Sequence, residues 1–280
     1  MTASLTIDRD RFRSSFANRA TAVRHALTDH PLLTVEAIAE LADALPEQQV
    51  EHNLGRLPLV VADPDAVQRA ELAPGEVARG IETNGCWMVL KNIEADPGYA
   101  QLLDACLDEI ASLIGDREGG MAVREGFIFL SAPGSVTPAH VDPEHNLLLQ
   151  IRGRKELSVG AFPAAAVEQR ELERFYAGGH RNLGWVPEVS QTFSIGPGDG
   201  VYLPVHAPHW VTVSDNVAVS LSVTFRTPRN ADEILLHRLN AGLRRAHLAP
   251  APIGTRPLQD RVKLAMGRGV RACSRRGLGD

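Results

Sequence analysis

The chain reads as a mainly β protein, a sandwich or barrel with helices flanking it, on three observations. From Gly126 to Phe225, short runs rich in Val, Ile, Leu, Phe and Thr are divided by Gly, Pro and Asp turns. Many short strands at turn spacing mark sandwiches and barrels. Before and after this region, apolar residues recur at three- and four-residue intervals, the spacing of amphipathic helices. A content of 44% hydrophobic and 22% charged residues in 280 suits a folded protein of one large domain with appended helices, or two domains.

The first element expected is a helical stretch over 10–45. Phe12, Phe16, Ala20, Val23 and Leu27 fall at helical spacing, and a second pattern (Val35, Ile38, Leu41, Leu45) follows Thr34, a suitable N-cap. Pro31 separates the two patterns and Pro46 ends the second. Leu59-Val60-Val61 and Trp87-Met88-Val89-Leu90 read as strands. Tyr99, Leu102, Leu103, Cys106, Ile110 and Leu113 mark a helix between 97 and 115, closed by Gly115 and Gly119-Gly120. Strands are then expected at 126–131, 145–152, 155–160, 191–195, 200–203, 208–213 and 217–226. Pro133-Gly134, Arg152-Gly153 and Pro197-Gly198-Asp199-Gly200 are the clearest turns. Residues 163–188 look like an insertion with a helix from Ala164 to Tyr176 and a Gly/His/Arg loop. Ala231 to His247 and 257–273 read as two last helices. The expected division is a helical segment over 1–56, a β domain over 57–228 and a helical, basic segment over 229–280.

Charge and cysteine content exclude several classes of function. The net charge of −5 gives no global attraction to nucleic acid, so no DNA partner is expected. From Arg226 onward, eleven Arg and one Lys stand against four acids. These arginines are interleaved with Leu and Ile, as on a solvated helix face or a dimer contact, and no aromatic RNA-binding signature accompanies them. Cys86, Cys106 and Cys273 are scattered without CxxC pairing, which fits a reducing cytoplasm. No apolar run approaches the roughly 20 residues that span a bilayer, and the acid-bearing N-terminus is not a secretory signal.

The chemistry concentrates in Val136-Thr137-Pro138-Ala139-His140-Val141-Asp142 and in His209. Residues two apart on an extended strand share a face, so His140 and Asp142 can aim at one point. Two imidazoles and one carboxylate occupy one face of an octahedron and leave three positions open, the ligand set of a mononuclear non-haem iron(II) site; Mn, Co, Ni and Zn bind similar sets. An HxD pair alone is a weak signal, and His206 competes with His209 for the third position. Lys155 has a reading of its own. A dicarboxylate entering an apolar barrel needs a cation at its far end, although the residue also suits an exposed turn after Arg152-Gly153-Arg154.

The run from Val136 to Lys155, with Thr137, His140, Asp142, Asn146 and Gln150-Ile151-Arg152-Gly153, resembles the core of the JmjC/cupin-like 2-oxoglutarate oxygenases. It is especially similar to the asparaginyl hydroxylase that modifies hypoxia-inducible factor. Pro197-Gly198-Asp199 through Pro204 to His209 resembles a second motif of that family, whose Pro-to-His spacing favours His209 over His206. The resemblance covers 126–226 well and the flanks loosely. It implies a double-stranded β-helix, iron(II) held by His140, Asp142 and His209, and O2 and 2-oxoglutarate as co-substrates. Lys155 would pair with the distal carboxylate of 2-oxoglutarate and Thr137 would hydrogen-bond it. Asn146 and Thr224 map near the iron and the co-substrate, although the family often has Asn where Thr224 stands. It also implies a homodimer through the C-terminal helices.

The expected activity is hydroxylation of a C–H bond in a peptide, a protein residue or a small metabolite, with release of succinate and CO2. The rivals are a cupin-type metalloenzyme without 2-oxoglutarate and a non-catalytic binding protein on the same barrel. His145 is expected to face away from the metal, and Trp210 to pack. Arg124 and Glu125 could flank the substrate entrance, and His180-Arg181-Asn182 could contact substrate or be solvated loop.

Overall fold

The structure is a computed structural model; it describes residues 5–61, 63 and 67–276, with side chains described to residue 269. The side chain of Cys273 lies outside those described. In chain order the elements are β1 (Leu5–Thr6), α1 (Arg9–Ser15), β2 (Thr21–His25), α2 (Val35–Ala44), β3 (Val50–Leu54), α3 (Pro74–Arg79), β4 (Cys86–Lys91) and α4 (Pro97–Ile114). There follow β5 (Arg124–Ser131), β6 (Val136–His140), β7 (His145–Arg152), β8 (Lys155–Ala161), α5 (Ala165–Tyr176), β9 (Glu188–Ile195), β10 (Asp199–Leu203), β11 (His209–Val213) and β12 (Ala218–Phe225). Two helices, α6 (Pro228–Arg245) and α7 (Pro257–Arg276), end the chain.

Strands β5 to β12 build two facing antiparallel sheets, β10-β7-β12-β5 and β6-β11-β8-β9. From β5 to β8 the chain alternates between the sheets, returns through β9, and alternates again to β12. This is the winding of a double-stranded β-helix, or jelly roll. The larger sheet is widened by β4 and β3 on one edge and by β2 and β1 on the other.

The strand period of two divides the interior. On β12, Val219, Leu221, Val223 and Phe225 pack outward against the α4 side chains Leu103, Cys106, Leu107 and Ile110 in the main core. The alternate residues Ser220, Ser222 and Thr224 are also buried, on the side facing the smaller sheet. Ser220 and Ser222 donate to Gln150 Oε1 and Asn146 Oδ1, each at 2.7 Å. A smaller apolar cluster, with Leu148, Leu157, Val159, Val201, Leu203 and Val211, fills the space between the two sheets.

Four readings of the sequence need correction, three of them toward the N-terminus. Helix does not run through 10–45. Phe12, Phe16, Ala20, Val23 and Leu27 are all buried, but the chain leaves α1 through Ala17 at φ +66°, whose N–H donates to the Tyr202 hydroxyl at 3.0 Å. It then forms β2, where Thr21, Val23 and His25 are buried and alternate with exposed residues along β10. A free sheet edge thus overrides local periodicity. The segment 1–56 is therefore mixed, since it also contains β3, which sequence reading missed. Its Val-Glu-His-Asn-Leu run shows only two apolar residues, and the second buried position is His52. Conversely, Leu59-Val60-Val61 is irregular, tied down by the Ala139 N–H donating to the Leu59 carbonyl. β6, which carries the first metal-ligand candidate, was not among the expected strands. The N-cap at Thr34, the helix from 97, its stop at Gly115 (φ +55°) and the expected strands from 126 onward are present.

Candidate metal centre

His140 ends β6 and His209 opens β11, and the antiparallel register makes them direct cross-strand partners, with ring centroids 4.1 Å apart. Asp142 lies two residues beyond His140. Its Oδ2 stands 3.7 Å from His140 Nε2 and 3.5 Å from His209 Nε2. The three ligand atoms lie within 4.8 Å of one another.

The hydrogen bonds fix which ring nitrogens are available. His140 Nδ1 is 2.7 Å from the Pro138 carbonyl and His209 Nδ1 is 2.9 Å from the Ala207 carbonyl. A carbonyl only accepts, so each Nδ1 carries the proton and each Nε2 lone pair points at Asp142. Burial, with His209 and Arg181 nearby, pushes His140 down to about 4, which keeps its ring neutral. Burial opposes ionisation of Asp142, but Arg181 and His140 outweigh it and hold the carboxyl well below its ordinary value. Two imidazoles and one carboxylate fit a divalent first-row ion.

The triad borders, through Asp142, a cavity of about 490 Å³. Thr137 and Asp142 lie on its wall, and Trp87, Phe127, Phe129 and Phe175 give it aromatic surface. It extends along β4 to Glu51 and Asn53 on the edge strand β3. Lys155 lies beside the cavity-lining Phe129, on the same face of β8 as Leu157 and Val159, with its Nζ 5.9 Å from the centre of that ring. It is 5% exposed, and burial alone pushes it down to about 7. Among the described residues no acidic group pairs with it. Such an orphaned buried cation fits the far carboxylate of a dicarboxylate ligand.

The remaining expected site residues sort as follows. Asn146 and Thr224 are cross-strand partners on the buried face of β7 and β12. Asn146 Oδ1 accepts from Ser222, and the Thr224 hydroxyl donates to the Glu125 carbonyl at 2.8 Å. No hydrogen bond joins either to the triad among the described residues. His206 points elsewhere, its Nε2 2.5 Å from the Tyr176 hydroxyl. His145 faces the main core, stacked on Phe16 and Phe225. Trp210 packs with Ala139 and Leu172. Arg124 is bound to Asp104 and Asp108 of α4, away from the cavity. Glu125 shares Arg226 with Glu144.

Two groups stand beside the triad: Arg181, expected only as a substrate contact or solvated loop, and Glu144, which sequence reading did not single out. Arg181 reaches in from the insertion and its Nη1 donates to Asp142 Oδ1 at 2.7 Å. Glu144, on the cavity wall, is pushed up to about 7 by burial and the nearby Asp142 charge, against the pull of Arg226. The segment 180–182 stood out for its residue types, but nothing in its spacing says that it folds back on residues 139–142.

Comparison with known proteins bears on this geometry. Residues 119–233 match the family model of the JmjC domain. That span holds all three ligand candidates, Thr137, Lys155 and the whole jelly-roll core. YcfD from Escherichia coli has a similar fold, with a TM-score of 0.55 and 18% identity over 96% of this chain and 68% of that one. Structures of YcfD described as a ribosomal oxygenase give the same picture. The complex with cobalt and 2-oxoglutarate has a TM-score of 0.52 and 17% identity over 95% and 66%. Another has 0.53 and 19% over 96% and 67%. The chain thus spans about two thirds of the length of these proteins, and the likeness is one of fold. No curated protein matches the chain in sequence. The likeness outside the JmjC domain extends to the flanking helices, since nearly the whole chain is covered.

Proposed function

We propose that this protein is an iron(II)- and 2-oxoglutarate-dependent oxygenase that hydroxylates a C–H bond of a protein or peptide side chain. The observation that carries the reading is the pairing of His140 Nε2, His209 Nε2 and Asp142 Oδ2 at a cavity wall with a buried, unpaired Lys155 in the same barrel. The overall reaction balances as substrate R–H with 2-oxoglutarate and O2 going to R–OH, succinate and CO2.

His140, Asp142 and His209 would hold the iron, which supplies oxygen activation coupled to decarboxylation of the co-substrate. Lys155 and Thr137 would fix the distal carboxylate. The low position of the His140 titration keeps its Nε2 free of protons at neutral pH. Phe127, Phe129 and Trp87 keep the cavity wall apolar, which limits water at the reacting centre. The cavity is open and runs along β4 and β3 rather than closing over a small ligand, which favours a chain segment over a metabolite. YcfD's description as a ribosomal oxygenase points the same way. The spacing of Thr137, His140, Asp142, Asn146 and Lys155 supports kinship with the asparaginyl hydroxylase of hypoxia-inducible factor.

For assembly, Leu258, Val262 and Met266 lie one helical turn apart on α7 and are 76%, 59% and 67% exposed. We read this stripe as the face that meets a second copy. No helix among the described residues is long and apolar enough to cross a membrane, and Cys86 and Cys106 are free thiols, as a reducing compartment allows.

The deciding experiment measures succinate formed from 2-oxoglutarate with iron(II) and ascorbate, without added substrate. The wild-type chain is expected to turn over slowly and a folded His140→Ala variant not at all. Undiminished turnover in the variant would sink the assignment. A Lys155→Ala variant with unaltered 2-oxoglutarate affinity would favour a metalloenzyme of another type.

A further inference from the structure

The carboxylate of the triad is held from outside the barrel. The loop after α5 returns along the ligand-bearing segment. Leu183 N–H donates to the Ala139 carbonyl at 2.8 Å and Val141 N–H to the Arg181 carbonyl at 3.2 Å, which pairs Asn182 with His140. The loop is itself clamped. The Arg174 guanidinium donates to the carbonyls of His180 at 2.8 Å and Asn182 at 2.9 Å. Gly179 passes so close that a Cβ there would stand 2.9 Å from the Arg174 carbonyl oxygen. At its far side α5 is tied to α6 by Glu173 and Arg244. From this frame Arg181 places Nη1 2.7 Å from Asp142 Oδ1, while Asp142 Oδ2 remains turned to the two Nε2 atoms.

We propose that Arg181 is a positioning residue for the metal centre: it occupies Asp142 Oδ1, so that Oδ2 alone is offered to the ion, and its guanidinium joins that carboxylate to the cavity wall. This rests on the metal reading above. A carboxylate without a second partner can turn and bind an ion through both oxygens, which would use one of the three positions that the co-substrates need. A charge-assisted bond of near-ideal length removes that freedom. It also orients the ligand in advance, as outer partners of metal ligands generally do.

The test uses the full chain, anaerobic, with cobalt(II) alone as the probe. Titration by calorimetry and by visible absorption compares wild type with Arg181→Gln and Arg181→Lys. For Arg181→Gln, cobalt affinity is expected to fall roughly 10- to 100-fold. The cobalt absorption bands should also weaken as the coordination number rises. Arg181→Lys should recover part of the affinity. A merely structural role would lower the melting temperature without moving the cobalt spectrum. Cobalt affinity within twofold of wild type and an unchanged spectrum in Arg181→Gln would overturn the proposal. If that variant does not fold, Arg181→Met is titrated in the same way, and an unchanged affinity and spectrum there overturns it equally. A wild-type chain that binds no cobalt at all would instead refute the metal reading itself, so the two failures are distinct.

Discussion

Replacing Lys155 with Met should stabilise the ligand-free protein and remove its response to 2-oxoglutarate. The buried ammonium has no counter-charge, and burial lowers its titration from 10.5 to about 7. The unfolded chain keeps this group protonated to its ordinary value. Between pH 7 and 10.5 the unfolded state therefore binds more protons, and stability rises with pH across that window. At pH 7 the linkage sets a ceiling of about 4 kcal/mol on the cost of the charge. Water reaching the site through the cavity reduces it to the order of 1–3 kcal/mol. Methionine has a similar length and no charge to desolvate. At about 2–4 °C per kcal/mol, the variant should melt several degrees above wild type at pH 7, and the gap should close by pH 10.5. With manganese(II) present and no oxygen, 2-oxoglutarate at 100 times its dissociation constant should stabilise wild type by about 2.7 kcal/mol. It should leave Lys155→Met unmoved. A variant that melts below wild type, or that 2-oxoglutarate still stabilises equally, would refute the reasoning, because Lys155 would then have a partner the geometry lacks.

Other consequences are open to direct measurement. Gly153 has φ +74° and a Cβ there would fall 2.0 Å from the Val217 carbonyl oxygen. Gly153→Ala should cost more than about 2 kcal/mol in urea unfolding, and a loss below 1 would mean that the β7–β8 turn gives way easily. His237 is pushed down to about 4 by burial. Its neutral form is favoured in the folded state, so the stability it carries is complete above 6.5 and is lost as pH falls towards 4. It should account for about 2 kcal/mol of the loss between pH 7 and pH 5, as a ceiling. Equal losses in wild type and His237→Phe would show that it does not. Val262→Glu with Met266→Glu should turn a dimer into a monomer by light scattering, and a monomeric wild type would end that reading of α7.

The legible parts of the sequence were those in which local chemistry and global position agree. Strands β7 and β10 to β12 end at Gly, Pro or Asp turns and bury both faces, so composition alone marks them. The ligand candidates were legible because His140 and Asp142 sit on one short segment and because the resemblance to the family's second motif, with its Pro-to-His spacing, favours His209. β2 and β3 were not legible. β3 is an edge strand and β2 is covered on its outer side only by the two-residue β1; one face of each meets solvent or polar residues, and β2 carries apolar positions that also satisfy a helical repeat. What settles them is pairing to β10 and β4, contacts between residues more than 30 apart in the chain. Arg181 lies on the same side of that divide. Its role exists only because the loop folds back on Ala139 and Val141, and no property of residues 177–184 announces the contact.

The two faces of β12 explain how one barrel serves both packing and chemistry. Had the inward positions 220, 222 and 224 been as large as the outward Leu221 and Phe225, they would crowd the apolar cluster between the sheets. Instead they are Ser, Ser and Thr, all buried, and each hydroxyl is satisfied by Gln150, Asn146 or the Glu125 carbonyl. Small satisfied hydroxyls keep the wall rigid and polar without adding charge. The charges about the cavity are then mostly paired: Asp142 with Arg181, Glu144 with Arg226 and Glu51 with Lys91, whereas Lys155 has no acidic partner among the described residues. In that arrangement Lys155 is an unpaired cation that an added anion would satisfy, so a dianionic co-substrate with one carboxylate at the ion would find a partner there for the other. Adding Ser222→Val should therefore leave the cobalt affinity of the triad intact while crowding the path to Lys155. Weaker 2-oxoglutarate binding with unchanged metal affinity is the expected pair of results, and a parallel loss of both would mean that the wall and the metal centre are one structural unit.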